Sequence, residues 1–230
     1  MSNDEIKTGN FIIRHFFQTV LLLLDTSTTH LAIGLADEAG AMLREFNADA
    51  AEGERGIHDA RLALETANLL NQLGSSAREI SRIGLIIGPG SFTGLRIGLS
   101  FAKGLCVATG AALVPLTQHE IMFEEAPETD HRYIITPGYR EDLFYVSKPN
   151  ELRNIQLLSG ETVSALGNVP MLLHDYFLNH PTPFFSHDAS FVSPSLSMMA
   201  RLTACCPVPL RDGEIDGLEP LYLTEFKTAL

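Results

Sequence analysis

Cysteine is scarce in this chain: of 230 residues only Cys106, Cys205 and Cys206 carry a thiol. Two are sequence neighbours and the third would need a distant partner, so no disulfide framework follows, and no zinc-ligand spacing is present. Reduced thiols fit a reducing compartment, and a cytoplasmic location is expected. Cys205-Cys206 stands in an apolar context and reads as buried structure rather than as a nucleophile. Positive charge is scarce as well, 16 basic against 28 acidic side chains, for a formal net charge of −12. Such a surface repels a phosphate backbone unless a local basic patch overrides the average, which disfavours direct nucleic-acid binding by this chain alone. Long apolar runs are also missing. Residues 11–24 are rich in apolar groups, but Arg14, His15 and Gln18 interrupt them and Asp25 closes the run. A membrane helix needs about 20 mostly apolar residues, so no membrane association is expected. A secretory cleavage site would follow the apolar run, yet Asp25-Thr26-Ser27-Thr28 looks structural. Residues 1–18 are therefore read as an N-terminal extension.

What remains is an ordinary globular composition, 45% hydrophobic and 19% charged, with length enough for two lobes. Residues 20–24 form a short continuous apolar run, the pattern of a strand buried on both faces. Segments 30–36 and 41–47, separated by Asp37-Glu38-Ala39-Gly40, add a hairpin. From 59 to 73 the apolar residues Leu62, Ala63, Leu69, Leu70 and Leu73 recur at helical spacing, and Gly74 ends the helix. Ser76 and Glu79 are spaced as a capping box. A strand over 82–87, a helix over 93–109 ended by Gly110 and a strand over 111–114 imply a right-handed parallel crossover. An acidic stretch at 124–130 marks the lobe boundary. That places an N-terminal lobe at 19–124 and a degenerate C-terminal lobe at 125–230, with strands over 131–136, 143–147 and 153–158 and a helix over 195–203. No fixed-period repeat is visible.

Two segments carry the chemistry. Asp25, Thr26, Ser27 and Thr28 end the first strand. Such a turn can place N–H groups and hydroxyls around a phosphate, with the acid holding Mg²⁺ through water, or its side chains can simply cap the turn. The second segment is Gly88-Pro89-Gly90-Ser91-Phe92-Thr93-Gly94, running on into Arg96 and Gly98. It lies between strand and helix, where an anion is favoured, but it is neither a Walker loop nor a dinucleotide fingerprint. Its glycines also permit unusual backbone geometry and close approach of another element.

The Asp25–Thr28 turn, the helix beginning at His58 and the run Gly88–Gly98 resemble the TsaB (YeaZ) family, in the glycoprotease-like branch of the actin/Hsp70/sugar-kinase superfamily. The similarity covers most of residues 20–122, including Ala102-Lys103-Gly104-Leu105 and Val114-Pro115-Leu116, and returns at Glu219-Pro220-Leu221-Tyr222-Leu223. The resemblance implies an α/β, actin-like ATPase (ribonuclease H-like) fold: two lobes of mixed sheet with flanking helices around a cleft. It implies a non-catalytic subunit that pairs with the catalytic paralogue TsaD and works with the ATPase TsaE. Together these place threonylcarbamoyl on adenosine 37 of tRNAs reading codons that begin with A, so the chain would meet tRNA only indirectly. In isolation it is expected to form a homodimer. The family's interface helices correspond to 59–73 and 93–109, which makes His58, Leu62, Leu69, Leu73, Arg96, Gly98 and Lys103 the expected docking residues. The family's usual His-Ser pair is here His58-Asp59, and its Asp-Ala-Arg-Arg-like turn is replaced by Ile135-Thr136-Pro137-Gly138-Tyr139-Arg140.

The catalytic paralogue carries His-x-x-x-His where this chain reads Thr117-Gln118-His119-Glu120-Ile121. Imidazoles one helical turn apart converge on one ion; an adjacent His and Glu point apart. No metal, no cofactor and no catalytic residue are expected. The alternative reading is an autonomous Mg²⁺-dependent nucleotide hydrolase or kinase built on Asp25 and the 88–94 loop.

Overall fold

The structure, a computed structural model, describes residues 19–49, 57–126, 130–167, 169–185, 189–211 and 213–221, with backbone alone at 57–60. The expected extension at 1–18 and the family-like Tyr222-Leu223 lie outside these residues.

Strands β1 (Val20–Asp25), β2 (His30–Ala36) and β3 (Met42–Asp49) form the meander. Helix α1 (Ile57–Gln72), a 3-10 turn at Ala77–Glu79 with the Ser76–Glu79 capping box, and β4 (Ile80–Gly88) follow. Helix α2 (Phe92–Thr109) and β5 (Ala112–Thr117) complete a five-stranded mixed sheet of order β3-β2-β1-β4-β5. Pairing is antiparallel within the meander and parallel from β1 through β4 to β5. The continuous apolar run of β1 is needed because both its faces are covered. Leu22 and Leu24 pack toward α1 and α2, Leu21 and Leu23 toward the opposite side.

Helix α3 (Gln118–Glu125) leads to the second lobe, which holds β6 (Tyr133–Pro137), β7 (Leu143–Ser147), β8 (Gln156–Ser159), α4 (Gly160–Ser164), β9 (Met171–His174), α5 (Tyr176–Asn179) and β10 (Ala189–Val192). Its sheet order is β10-β9-β6-β7-β8. Read from the other edge, this repeats the first sheet: a three-strand antiparallel meander followed by two parallel strands. The lobes share a topology that no sequence period betrays. An aromatic core of Phe144, Phe177, Phe184 and Phe185 fills one face of this sheet.

Helix α6 (Leu196–Cys205) corrects the lobe boundary. It belongs to the first lobe, where Leu196, Met198, Met199 and Ala200 cover Leu21 and Leu23. Gly84 in β4 leaves room for it: a Cβ there would meet Thr203 Oγ1 at 2.2 Å. Arg82 reaches across from β4 and donates to the carbonyls of Thr203, Ala204 and Cys206 at 3.1, 3.1 and 2.9 Å, closing the helix end. Leu210 then pairs with Leu113, Ile215 of α7 (Gly213–Asp216) enters the first core, and the Leu221 N–H donates to the Ile87 carbonyl. The second lobe is thus an insertion ending near Val192, not the whole of 125–230, because α6 is required to cover a sheet face that α1 and α2 leave open.

Candidate functional site

The two sequence motifs meet at the ends of β1 and β4, and each uses up the other's polar groups. The Asp25 carboxylate accepts from the Ser27 N–H (2.8 Å) and hydroxyl (2.5 Å). The Ser27 carbonyl accepts from the Ser91 N–H at 2.6 Å. The Thr26 hydroxyl donates to the Gly94 carbonyl at 2.8 Å, and the Ser91 hydroxyl, as α2's N-cap, accepts from the Gly94 N–H. The glycines permit this contact: a Cβ at Gly90 would lie 2.2 Å from the Ser27 carbonyl, and one at Gly98 would lie 2.3 Å from Thr26 Oγ1. Gly88 and Gly90, at φ 140° and 157°, flank a cis peptide to Pro89. Thr26 and Ser27 are buried, Thr28 half-buried, and Ser91, Phe92 and Thr93 exposed.

The expected docking residues divide. His58 lies in the first turn of α1, and its side chain is outside the described residues. Leu62 and Leu69 are 2% and 4% exposed in the first core, with Leu73 packed against it, and Gly98 is buried on Thr26. These four are structural, because the apolar stripe of α1 faces its own sheet. Arg96 is exposed and stacks on Phe92, its Cζ 4.8 Å from the ring centroid. Lys103 donates to the Asp216 carbonyl at 2.8 Å, tying α2 to the returning C-terminal segment. What α1 and α2 leave in solvent is a different set, chiefly Leu64 (58%) and Val107 (84%) with Ala63, Ala67 and Gly104. Cys205 is also exposed rather than buried, since it ends α6 facing away from the sheet.

Helix α3 stands between the lobes, Ile121 packing into the first and Met122 into the second. Thr117 caps it, in a capping box with Glu120. His119 is fully buried, its Nδ1 2.7 Å from Ser147 Oγ and its Nε2 3.2 Å from Thr136 Oγ1. Burial, assisted by His174 nearby, drives its pKa down to about 3, so the ring is neutral at physiological pH. Each ring nitrogen therefore already has a hydroxyl partner in the second lobe, one as donor and one as acceptor. Glu120 points the other way, accepting from Arg153 Nε at 2.7 Å, while the same guanidinium donates to the Pro115 carbonyl. Among the described residues no three His, Cys, Asp or Glu side chains are grouped to hold a metal ion. Nor is any described helix long and apolar enough to cross a membrane.

The lobes enclose a cleft of about 360 Å³ between these motifs and the second sheet. Its far wall brings in residues the sequence did not single out, Tyr139, Tyr145, His174 and Tyr176. Gln118 forms the floor, 3% exposed, its Nε2 donating to Ser27 Oγ at 2.7 Å. The only hint of these residues in the chain was the tight Pro137-Gly138-Tyr139-Arg140 turn.

A family model described as "TsaD: tRNA N6-adenosine threonylcarbamoyltransferase" matches residues 55–205. The chain belongs to this TsaD family. A 108-residue stretch of the chain is 28% identical to the tRNA threonylcarbamoyladenosine biosynthesis protein TsaB of Haemophilus influenzae, 47% of this chain and 43% of that relative. The match thus spans less than half of that relative's length. YeaZ from Pseudomonas aeruginosa superposes with a TM-score of 0.66 at 18% identity, over 89% of this chain and all of that one. A second Pseudomonas aeruginosa structure, described as similar to peptidase YeaZ, gives 0.64 at 18% identity over 90% of this chain and all of its own. At this identity the likeness is one of fold, the pair of five-stranded mixed-sheet lobes that the topology itself displays. TsaD-family membership and this fold agree with the resemblance read from the motifs.

Proposed function

We propose that the chain is a non-catalytic subunit in the formation of threonylcarbamoyladenosine at adenosine 37 of tRNAs reading codons that begin with A. It acts by docking on the catalytic paralogue TsaD, with TsaE as the ATPase of the system. TsaD-family membership and the similarity to TsaB support the pathway. The observation that carries the subunit role is His119. A lone imidazole whose two nitrogens are held by Ser147 and Thr136, and which burial keeps neutral, acts as a strut between lobes. A metal ligand needs a free lone pair directed at the ion and companions around it. The local use of Asp25 and of the Ser91 amide argues in the same direction against autonomous phosphoryl chemistry.

The docking face on this reading is the exposed side of α1 and α2, centred on Leu64, Val107 and Gly104. It is small and apolar, as helix–helix contact requires, and nothing in this chain covers it among the described residues.

Reconstitution tests the assignment. The catalytic paralogue, TsaE, the threonylcarbamoyl donor and unmodified tRNA are combined with and without this chain, and the nucleosides are analysed. Modified adenosine is expected only when the chain is present, and the chain alone is expected to release no phosphate from Mg·ATP. Modification by the chain unaided, or its own ATP turnover, would replace this reading with the enzymatic one.

A further inference from the structure

The cleft between the lobes has the wrong equipment for phosphates and the right equipment for a planar base. Although the chain carries a net charge of −12, none of the residues lining the cleft is a carboxylate. Its amide-rich loop is already occupied: Ser91 N–H and the Ser27 carbonyl satisfy each other. Two polar groups on its walls make no hydrogen bond to a described residue and are left to the solvent of the cleft. Tyr145 is 4% exposed, yet its hydroxyl makes no hydrogen bond to any described residue. Gln118 spends its NH₂ on Ser27, and its amide oxygen accepts from none of the described residues. His174 stands beside them: its Nδ1 lies 3.0 Å from the Tyr176 N and 2.9 Å from Asp175 Oδ1, and burial lowers its pKa despite Asp175 and Asp25. An amide oxygen, a hydroxyl and an imidazole match the mixed donor and acceptor edge of a nucleobase.

The mouth of the cleft supplies stacking faces. Phe92, Tyr139 and Tyr176 are 48%, 53% and 42% exposed, and all three line it. Each is paired with a basic side chain. Arg96 lies over Phe92, Arg140 Cζ is 5.9 Å from the Tyr139 centroid, and His180 stacks on Tyr176 at 3.9 Å and 3°. Arg140 also pairs with Asp142 at 3.2 Å. Aromatic rings backed by guanidinium and imidazole groups around a groove are the pattern that holds unstacked bases of single strands.

We propose that this cleft receives an unpaired nucleobase of an RNA strand, stacked on Tyr139 and Tyr176 and hydrogen-bonded to Gln118, Tyr145 and His174. A strand fits better than a free nucleotide, because the guanidinium groups of Arg96 and Arg140 stand beside the rings at the mouth, where a backbone runs, while the Ser91 amide of the inner loop is already used by the Ser27 carbonyl. The choice of a nucleobase among planar heterocycles rests on the tRNA-modification reading, and it adds a direct RNA contact where the acidic composition pointed to none. The site lies apart from the exposed face of α1 and α2, so it can fail while the docking reading stands.

The test uses the full chain and a fluorescent unstructured RNA octamer in low salt, read by anisotropy. The same octamer made abasic and free adenosine are the comparison ligands. The expected result is binding of the base-bearing strand only, weakened about tenfold or more by Tyr139→Ala or Tyr176→Ala and retained by Tyr139→Phe. Both alanine positions are exposed, so unchanged melting temperatures will show the variants folded. Equal binding of the abasic strand would reduce the site to charge attraction and overturn the proposal. Adenosine bound as tightly as the octamer would reassign the cleft to a small molecule, and absence of octamer binding would reject it. Co-elution with the catalytic paralogue, measured in parallel, reports on the docking reading separately.

Discussion

The Gly94 α-carbon stands so close to Thr26 that a side chain at position 94 would put its Cβ 2.0 Å from the Thr26 carbonyl oxygen. The contact fuses the end of β1 to the start of α2, and a backbone oxygen cannot step aside as a flexible side chain can. Gly94→Ala is expected to cost about 3 kcal/mol, the upper range for overpacking, seen as a clear fall in melting temperature. Gly104→Ala in the same helix meets nothing within 4 Å and should stabilise by up to about 1 kcal/mol. Equal melting of the two variants would contradict the close approach.

His119 makes stability depend on pH. Its folded pKa is about 3 against an ordinary 6.5, so between those values the unfolded chain binds a proton that the folded chain refuses. Stability therefore falls as pH is lowered through this window, by about 1.4 kcal/mol per unit for this one group, and this contribution is level above 6.5. His174, lowered chiefly by burial, adds to the same trend. Urea unfolding at pH 7, 6 and 5 should show the slope, and His119→Gln should be less stable at pH 7 and less steep below it.

Arg82 holds three carbonyls at the end of α6. Arg82→Leu removes their charged donor and is expected to cost about 2–4 kcal/mol. Fraying of that end should also speed the reaction of Cys206 with a thiol reagent, while the already exposed Cys205 should react at its former rate.

The exposed side of α1 and α2 separates docking from folding. Leu64→Arg and Val107→Arg are expected to leave thermal stability within about 0.5 kcal/mol, as exposed substitutions do, and to abolish co-elution with the catalytic paralogue. Leu69→Arg, which buries a charge in the first core, should instead prevent folding. Retained co-elution by both exposed-site variants would move the interface elsewhere.

Much of this was legible in the chain. The run at 20–24, the hairpin around Asp37–Gly40, the helix stopped by Gly110 and the Ser76–Glu79 box are local patterns, and local physics fixes them. The helix that seals the first sheet from below was visible as a helix, but nothing local says which sheet it covers. Its two markers were long-range: a glycine in the middle of β4 and an arginine in an otherwise buried strand, at 84 and 82. The same limit explains the docking residues. Helical periodicity marks Leu62 and Leu69 as apolar on one stripe, yet a stripe can face its own core or a partner, and here it faces its own core. The aromatic wall of the cleft was illegible because Tyr139, Tyr145 and Tyr176 converge only once the second sheet is folded.

The return of α6 to the first sheet has a consequence for how the protein is made. As the nascent chain leaves the ribosome, β1 to β5 emerge long before residue 196, and until then Leu21, Leu23 and Ile86 lack the cover of α6. The inserted lobe, whose residues are contiguous, is free to finish first, and the older-emerging half must wait for α6. A stop codon between β10 and α6 would therefore cripple not the part it shortens in sequence but the half synthesised earliest.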